Sequence, residues 1–502
     1  MLAVAILVAR FLFPLPDISG RAPSLAISIS PVTTIGSKAI DEHSAHPGKS
    51  GVLPLRNGQD ALASRMELIA AAEASIDAQY YIWHDDTSGT LLLEALYKAA
   101  NRGVRVRLLL DDNGVPGLDS FMAALDAHEN FEIRLFNPSS IRSPKLLGYT
   151  FDFFRMNRRM HNKSLIVDGA VAIIGGRNIG DEYFEVGNDN FYADMDVLAV
   201  GTIVPETASM FDQYWNSQSV FEAEKILPAA GDMSGFEERA LDIRNGDDAI
   251  EFLQDINDSA SEYANAITQL EWTDVQLVAD DPVKGLGIAA REQLMITRLG
   301  EILGGVEKRL DLVSAYFIPS DEGTAWFSKL TEAGIEIHIL TNALNTTDVL
   351  MVHAGYTSYR RELLESGVHL YELRLRAGAT GAEVQSMPFG LSGASLHAKT
   401  FAVDRQRIFI GSFNFDPRSA TLNCEMGFLI DSPTMAGNVS SGFDGPFETI
   451  SYQPGLTPED KMIWREVREG GEERIYQEEP GATWLQQISL VVIGLLPIEW
   501  LL

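Results

Sequence analysis

Apolar positions change their period in a fixed order along the first part of the chain. Ala61 to Ala74 carries a helical spacing, and Ile76 to Trp83 reads as an apolar, aromatic-rich strand. Ser88 to Asn101 is again helical, and Val104 to Leu110 reads as a strand after the turn glycine Gly103. The order returns later: Leu310 to Ile318 as strand, Thr324 to Ala333 as helix, Gly334 to Leu340 as glycine-led strand. Strands alternating with helices predict an α/β fold built on a mixed, mainly parallel sheet. A repeat this long predicts two similar lobes, not a solenoid.

The pattern divides the chain. Residues 1–25 form an apolar N-terminal segment of signal or anchor type, and 45–221 the first lobe. Residues 222–264 are an acidic, glycine-containing linker, 265–432 the second lobe, and 433–502 a polar extension ending in an apolar run. That run, Gly481 to Ile498, is uncharged and bracketed by Trp484 and Trp500. Its length is marginal for spanning a bilayer core of roughly 30 Å. With tryptophans at both ends it predicts a helix lying at or shallowly in a membrane surface, in preference to one packed on the protein's own core.

Charge narrows the partners. Seventy acidic against 39 basic residues leave a formal net charge of −31, which argues against a broad nucleic-acid surface. An anionic substrate then needs a local basic patch. Arg142, Lys145, Arg155, Arg158 and Arg159, interleaved with Leu146, Leu147, Phe151, Phe153 and Phe154, supply one just before His161. A basic and apolar mixture suits a lipid headgroup with its acyl chains, although a solvated helix face has the same composition. The single cysteine, Cys424, excludes an intrachain disulfide and reads as a buried small residue.

The chemistry sits in two matching motifs. His161-Asn162-Lys163 is followed by Asp168 and then Gly175-Gly176-Arg177-Asn178. His397-Ala398-Lys399 is followed by Asp404 and then Gly411-Ser412-Phe413-Asn414, every position shifted by 236. In extended backbone, residues i and i+2 share a face, so each His projects with its Lys. The glycines permit a tight turn that returns Asn178 and Asn414 beside them. Asp168 and Asp404, further along, complete the candidate catalytic set as structural or supporting groups, not general bases. Imidazoles suit nucleophilic and acid–base work near neutral pH. Fixed Lys and Asn donors can neutralise a phosphate, a task that metals perform elsewhere. The sequence holds no metal-ligand cluster, so no metal and no cofactor are expected.

These paired motifs are similar to those of the phospholipase D superfamily over roughly residues 60 to 431. The resemblance implies two lobes, each a sheet flanked by helices, related by a pseudo-twofold axis around one shared site. It implies a phosphohistidine on His161, with His397 as acid and base. It implies Lys163, Lys399, Asn178, Asn414 and the Ser412 hydroxyl as phosphate-binding groups. An acid on the strand after each Gly-x-x-Asn turn would orient a histidine. Glu425 fits in the second copy and Asp196 in the first, with Asp194 as competitor on the same strand face. Asp196 is preferred because the apolar run after it resembles that after Glu425.

The segments Tyr80 to Asp86, Gly175 to Phe184, Gly411 to Ser419 and Leu496 to Leu502 resemble the cardiolipin synthase C branch of bacterial enzymes. That branch transfers phosphatidyl groups between phosphatidylglycerol and a second phospholipid, typically phosphatidylethanolamine, at the bacterial inner membrane. A hydrolytic phospholipase or nuclease would carry the same motifs, and an idle scaffold would have lost one. His84, Asp85 and Asp86 border the cleft or form a helix-capping turn, and His353 and Tyr356 are expected at the surface.

Overall fold

The computed structural model describes residues 2–187, 191–227, 231–254, 270–303, 305–374, 395–468 and 471–484, and in the tail 486, 490, 493–494 and 498–502. Two large sheets form two lobes. The first runs in the order Glu271–Thr273, Ser50–Leu55, Asp196–Gly201, Val171–Gly175, Ser164–Val167, Ser75–Ile82, Arg105–Gly114, Phe131–Phe136, Val220–Glu222. The second runs Val275–Ala279, Met426–Asp431, Arg407–Gly411, Lys399–Val403, Arg309–Ser314, Glu336–Asn342, His369–Leu373, Ser451–Leu456, Met462–Val467, Glu473–Tyr476.

The two-lobe α/β expectation holds, but the strand directions differ from it. Within the two large sheets only the helix-connected strands run parallel: Ser75–Ile82 with Arg105–Gly114 and Phe131–Phe136, and their counterparts from Arg309 to Leu373. The other pairings in these two sheets are antiparallel, and each pair of motif strands is joined by a tight turn. Asp168 and Gly169, like Asp404 and Arg405, take successive left-handed conformations that reverse the chain within one turn. The helix-and-strand period is visible only upstream of each motif, so it could not show this.

Alternation along the motif strands splits their side chains between cores. Leu165, Val167 and Ile173 face the outer helices of the first lobe, and Phe401, Val403 and Phe409 those of the second. Ile166, Ala172 and Ile174 meet Ala402, Ile408 and Ile410 in one shared core between the sheets. The lobes are thus welded through apolar packing, and the motifs end at this weld.

Boundaries shift accordingly. Within the expected linker, helix Met233–Arg244 packs Phe236 and Ala240 into the structure, and residues 255–264 lie outside the described residues. Glu271–Thr273 closes the first sheet although the pattern placed it with the second lobe, and three strands of the extension widen the second sheet. Of the terminal apolar run, Leu490 is buried against Leu344 and Ala354, and beyond the run Leu502 lies in the second-lobe core. Trp484 and Trp500 stay exposed, while several residues between lie outside the description. Among the described residues, no helix is long and apolar enough to cross a membrane.

Candidate active site

Each motif is aimed by backbone pairing with the opposite lobe. Met160 bridges Cys424, and the His161 amide donates to the Cys424 carbonyl at 2.8 Å. In the mirror arrangement Ser395–Leu396 pairs in parallel with Tyr192–Ala193, and the His397 amide donates to the Ala193 carbonyl at 2.8 Å. The residue after each acceptor therefore lands on the facing histidine. His161 Nδ1 donates to Glu425 Oε2 at 2.8 Å, and His397 Nδ1 donates to Asp194 Oδ2 at 2.6 Å. Both pairs are buried and both cross the lobe boundary.

Asp194, not Asp196, is thus the histidine-bound acid of the first lobe. Strand register gives the reason: Gly175 faces Asp196 and Gly411 faces Gly427, so Asp196 corresponds to Gly427 and Asp194 to Glu425. Asp196 instead forms a buried ion pair with Arg65 at 2.8 Å and accepts the Arg177 amide at 3.2 Å. The misleading signal was the apolar run. The useful one was the dipeptide, Asp194-Met195 against Glu425-Met426. Gly176 belongs to the same arrangement, since a Cβ there would sit 2.1 Å from Asp194 Oδ1.

Ser412, the counterpart of Gly176, does not offer its hydroxyl to a ligand. It donates to Glu425 Oε2 at 2.5 Å and accepts the Met426 amide at 3.0 Å. Its expected phosphate contact is replaced by a contact that holds Glu425. Lys163 Nζ donates to its own motif's His161 carbonyl at 2.6 Å, and Lys399 Nζ to the His397 carbonyl. Lys399 Nζ also lies 2.9 Å from His397 Nδ1. Asn178 accepts the Ile82 amide and donates to the Tyr183 hydroxyl at 3.0 Å, whereas the buried Asn414 Oδ1 has no hydrogen-bond partner among the described residues. Tyrosines wall the imidazoles: Tyr81 edge-on to His161, Tyr183 and Tyr192 against His397, all with ring centroids about 5 Å away. Tyr81 and Tyr183 sit in segments that the sequence singles out, whereas Tyr192 carries no signal of its own.

The electrostatics follow from burial. Desolvation, joined by Lys163 and Lys399, pulls His161 down to about 4 against the opposing pull of Glu425. Desolvation and then Lys399 push His397 below its usual value, with Asp194 opposing. Burial would raise Asp194, but the hydrogen bond and charge of His397 outweigh it and leave the acid at about 2. Glu425 likewise stays below the usual range because His161 and Lys163 overcome burial. Desolvation brings Lys163 to about 7 and Lys399 to about 8. His161 Nδ1 faces a carboxylate and, at 3.1 Å, the Ser412 carbonyl, both acceptors. Its hydrogen must sit on Nδ1, which leaves the Nε2 lone pair free as a nucleophile.

Other residues resolve plainly. Asp168 accepts the amides of Glu73, Ala74 and Ser75, and Asp404 those of Glu307, Lys308 and Arg309. Both pin the loop entering their lobe's first motif-side strand, as structural groups do. Asp86 caps helix Thr87–Asn101, while His84 lies 3.2 Å from Glu182. His84, Asp86 and Glu182 are the one described trio that could hold a metal ion. His353 and Tyr356 are buried, not exposed. The extension covers them, and His353 Nε2 meets Glu479 at 2.7 Å. Cys424 is buried, and burial raises its thiol to about 12. The basic patch is largely paired: Arg142 and Lys145 to Asp112, Arg155 to Asp152, buried Arg159 to Asp111.

Comparison with known proteins agrees with this architecture. A family model described as cardiolipin synthase, PLD-like domain, matches residues 66–215 and 300–445. Cardiolipin synthase C of Escherichia coli (strain K12) is 43% identical over 91% of this chain and 98% of its own length. A Staphylococcus aureus cardiolipin synthase is 24% identical over 82% of this chain and 70% of its own. The crystal structure of Haemophilus influenzae Rd KW20 phosphatidylserine synthase superposes with a TM-score of 0.57 at 12% identity, covering 93% of this chain and all of that one, a likeness of fold. With a PLD-like domain matched in each lobe and each motif histidine bound to a carboxylate of the other lobe, the chain belongs to the cardiolipin synthase branch of the phospholipase D superfamily.

Proposed function

We propose that the chain is a phosphatidyltransferase that makes cardiolipin from phosphatidylglycerol and a second phospholipid, phosphatidylethanolamine, at the surface of a bacterial inner membrane. The observation that carries the reading is the pair of buried imidazoles, each with Nδ1 tied to a carboxylate of the opposite lobe. His161 Nε2 attacks the phosphorus of the donor lipid, and the bond to its headgroup oxygen breaks as His397 protonates the departing alcohol. His397, now neutral, takes the proton of the phosphatidylglycerol primary hydroxyl, which attacks the phosphohistidine and frees His161. Lys163 and Lys399 neutralise the phosphate oxygens, and the amide nitrogens of Asn178 and Asn414 orient them as donors.

Transfer is favoured over hydrolysis because the imidazoles, lysines and asparagines are nearly closed to solvent. The test is product analysis with defined vesicles: cardiolipin and free ethanolamine in equal amounts support the reading. Phosphatidic acid as the main product, with cardiolipin absent, would make the enzyme a hydrolytic phospholipase D instead.

A further inference from the structure

The exposed apolar side chains concentrate on two packed elements beside the site. The N-terminal helix, Leu2–Leu12, and the residue after it expose Leu7, Val8, Phe11, Leu12 and Phe13, with Phe11 84% accessible. The helical hairpin Lys145–Met156 exposes Leu146 (74%), Leu147, Phe153 and Phe154 (65%). The two are joined: Arg10 Nε donates to the Phe151 carbonyl at 2.9 Å and Arg10 pairs with Asp152, while Phe13 stacks on Phe151. The C-terminal turn reaches the same place. Arg418 donates both to Asn157, just past the hairpin, and to the Leu501 carbonyl, beside exposed Trp500. Five residues beyond Met156 the chain arrives at His161.

We propose that these elements form one bilayer-docking lip, which inserts among acyl chains and opens the His161 side of the cleft to lipids. This rests on the phospholipid substrates proposed above. A continuous exposed apolar surface marks an interaction site, and charge selects its partner. In a chain of net charge −31, residues 2–16 and 141–160 hold Arg10, Arg142, Lys145, Arg155, Arg158 and Arg159 against one acid of their own, Asp152. Even with Asp111, Asp112 and Asp119 added from neighbouring segments, cations exceed carboxylates. Greasy side chains beside a local excess of positive charge match an anionic bilayer. The N-terminal apolar segment thus serves as part of the folded lip, held by its own arginine.

The experiment uses the full chain and the variants Leu146→Glu, Phe154→Glu and their double. Each is exposed, so thermal stability should be unchanged. Flotation with vesicles of phosphatidylglycerol and phosphatidylethanolamine should show at least tenfold weaker binding for the double variant. Turnover on vesicles should fall in parallel, while turnover of a short-chain phosphatidylglycerol below its micelle concentration stays within twofold. Unchanged vesicle binding and turnover would overturn the lip. So would wild-type self-association that the substitutions abolish, which would assign the face to a second copy. Lip-dependent binding without any cardiolipin formation would support the lip and reject the proposed reaction. Cardiolipin formation insensitive to the substitutions would do the reverse.

Discussion

Nδ1 of His397 in the second lobe lies 2.6 Å from Oδ2 of Asp194 in the first, and neither residue's own lobe could complete that pair. Asp194 and Asp196 are two residues apart on one strand yet do different work. Asp194→Asn should leave folding nearly intact and lower turnover by about 10²- to 10⁴-fold, as loss of an imidazole-orienting carboxylate does. Asp196→Asn breaks a buried ion pair with Arg65 and should cost about 3–5 kcal/mol of stability, with specific activity largely kept in the folded fraction. Thermal melts and turnover of the two variants separate the roles; equal activity losses would reject the distinction.

The pH profile should be set by the two histidines. In the proposed reaction His161 attacks as the neutral imidazole, and its pKa of about 4 puts the rising acid limb of kcat/KM near that value. His397 must hold a proton, and since its pKa is lowered, the falling limb of kcat/KM should lie below pH 6.5, the ordinary histidine value. A bound phosphodiester anion favours the imidazolium, so the corresponding limb of kcat should move to higher pH. Coincident falling limbs for kcat and kcat/KM would contradict this.

Ser412 makes the two halves unequal. Its hydroxyl shares Glu425 Oε2 with His161, which spreads the carboxylate charge and limits its support of an imidazolium. Removing it in Ser412→Ala should raise the His161 pKa, shift the acid limb upward, and slow turnover. A hydrogen bond to a charged group is worth about 1.5–3 kcal/mol, or roughly 10- to 100-fold. Ser412→Thr, which keeps the hydroxyl, should restore both. An acid limb that stays put in the alanine variant would leave Ser412 with packing alone.

How far the sequence carried depended on what each residue type can signal. The His and Lys positions were legible because two ungapped motifs repeat identical spacings. The site-forming contacts were not, since Met160 with Cys424 and Leu396 with Ala193 join residues far apart in the chain. Local apolar similarity favours Asp196 in the sequence, whereas only cross-strand pairing fixes the register that selects Asp194. Strand direction failed because the turns at Asp168 and Asp404 follow the motifs, where the helix-strand period has ended. His353 and Tyr356 looked superficial because their cover, including Glu479, comes from an extension that lacks periodicity.

If the lysines meet the phosphate charge as proposed, chelation with excess EDTA should leave turnover within about twofold. Loss of activity restored by one divalent ion would instead direct attention to His84, Asp86 and Glu182, whose ligand atoms all lie within 4.8 Å of one another.

Mass spectrometry of lipid products from purified His161→Ala and His397→Ala enzymes distinguishes one shared site from two independent ones. Nucleophile and acid act as a unit, so each substitution alone should reduce cardiolipin formation by at least about 10³-fold, with no phosphatidic acid in compensation. Cardiolipin at about half the wild-type rate from either variant would mean two independent sites and would contradict the account.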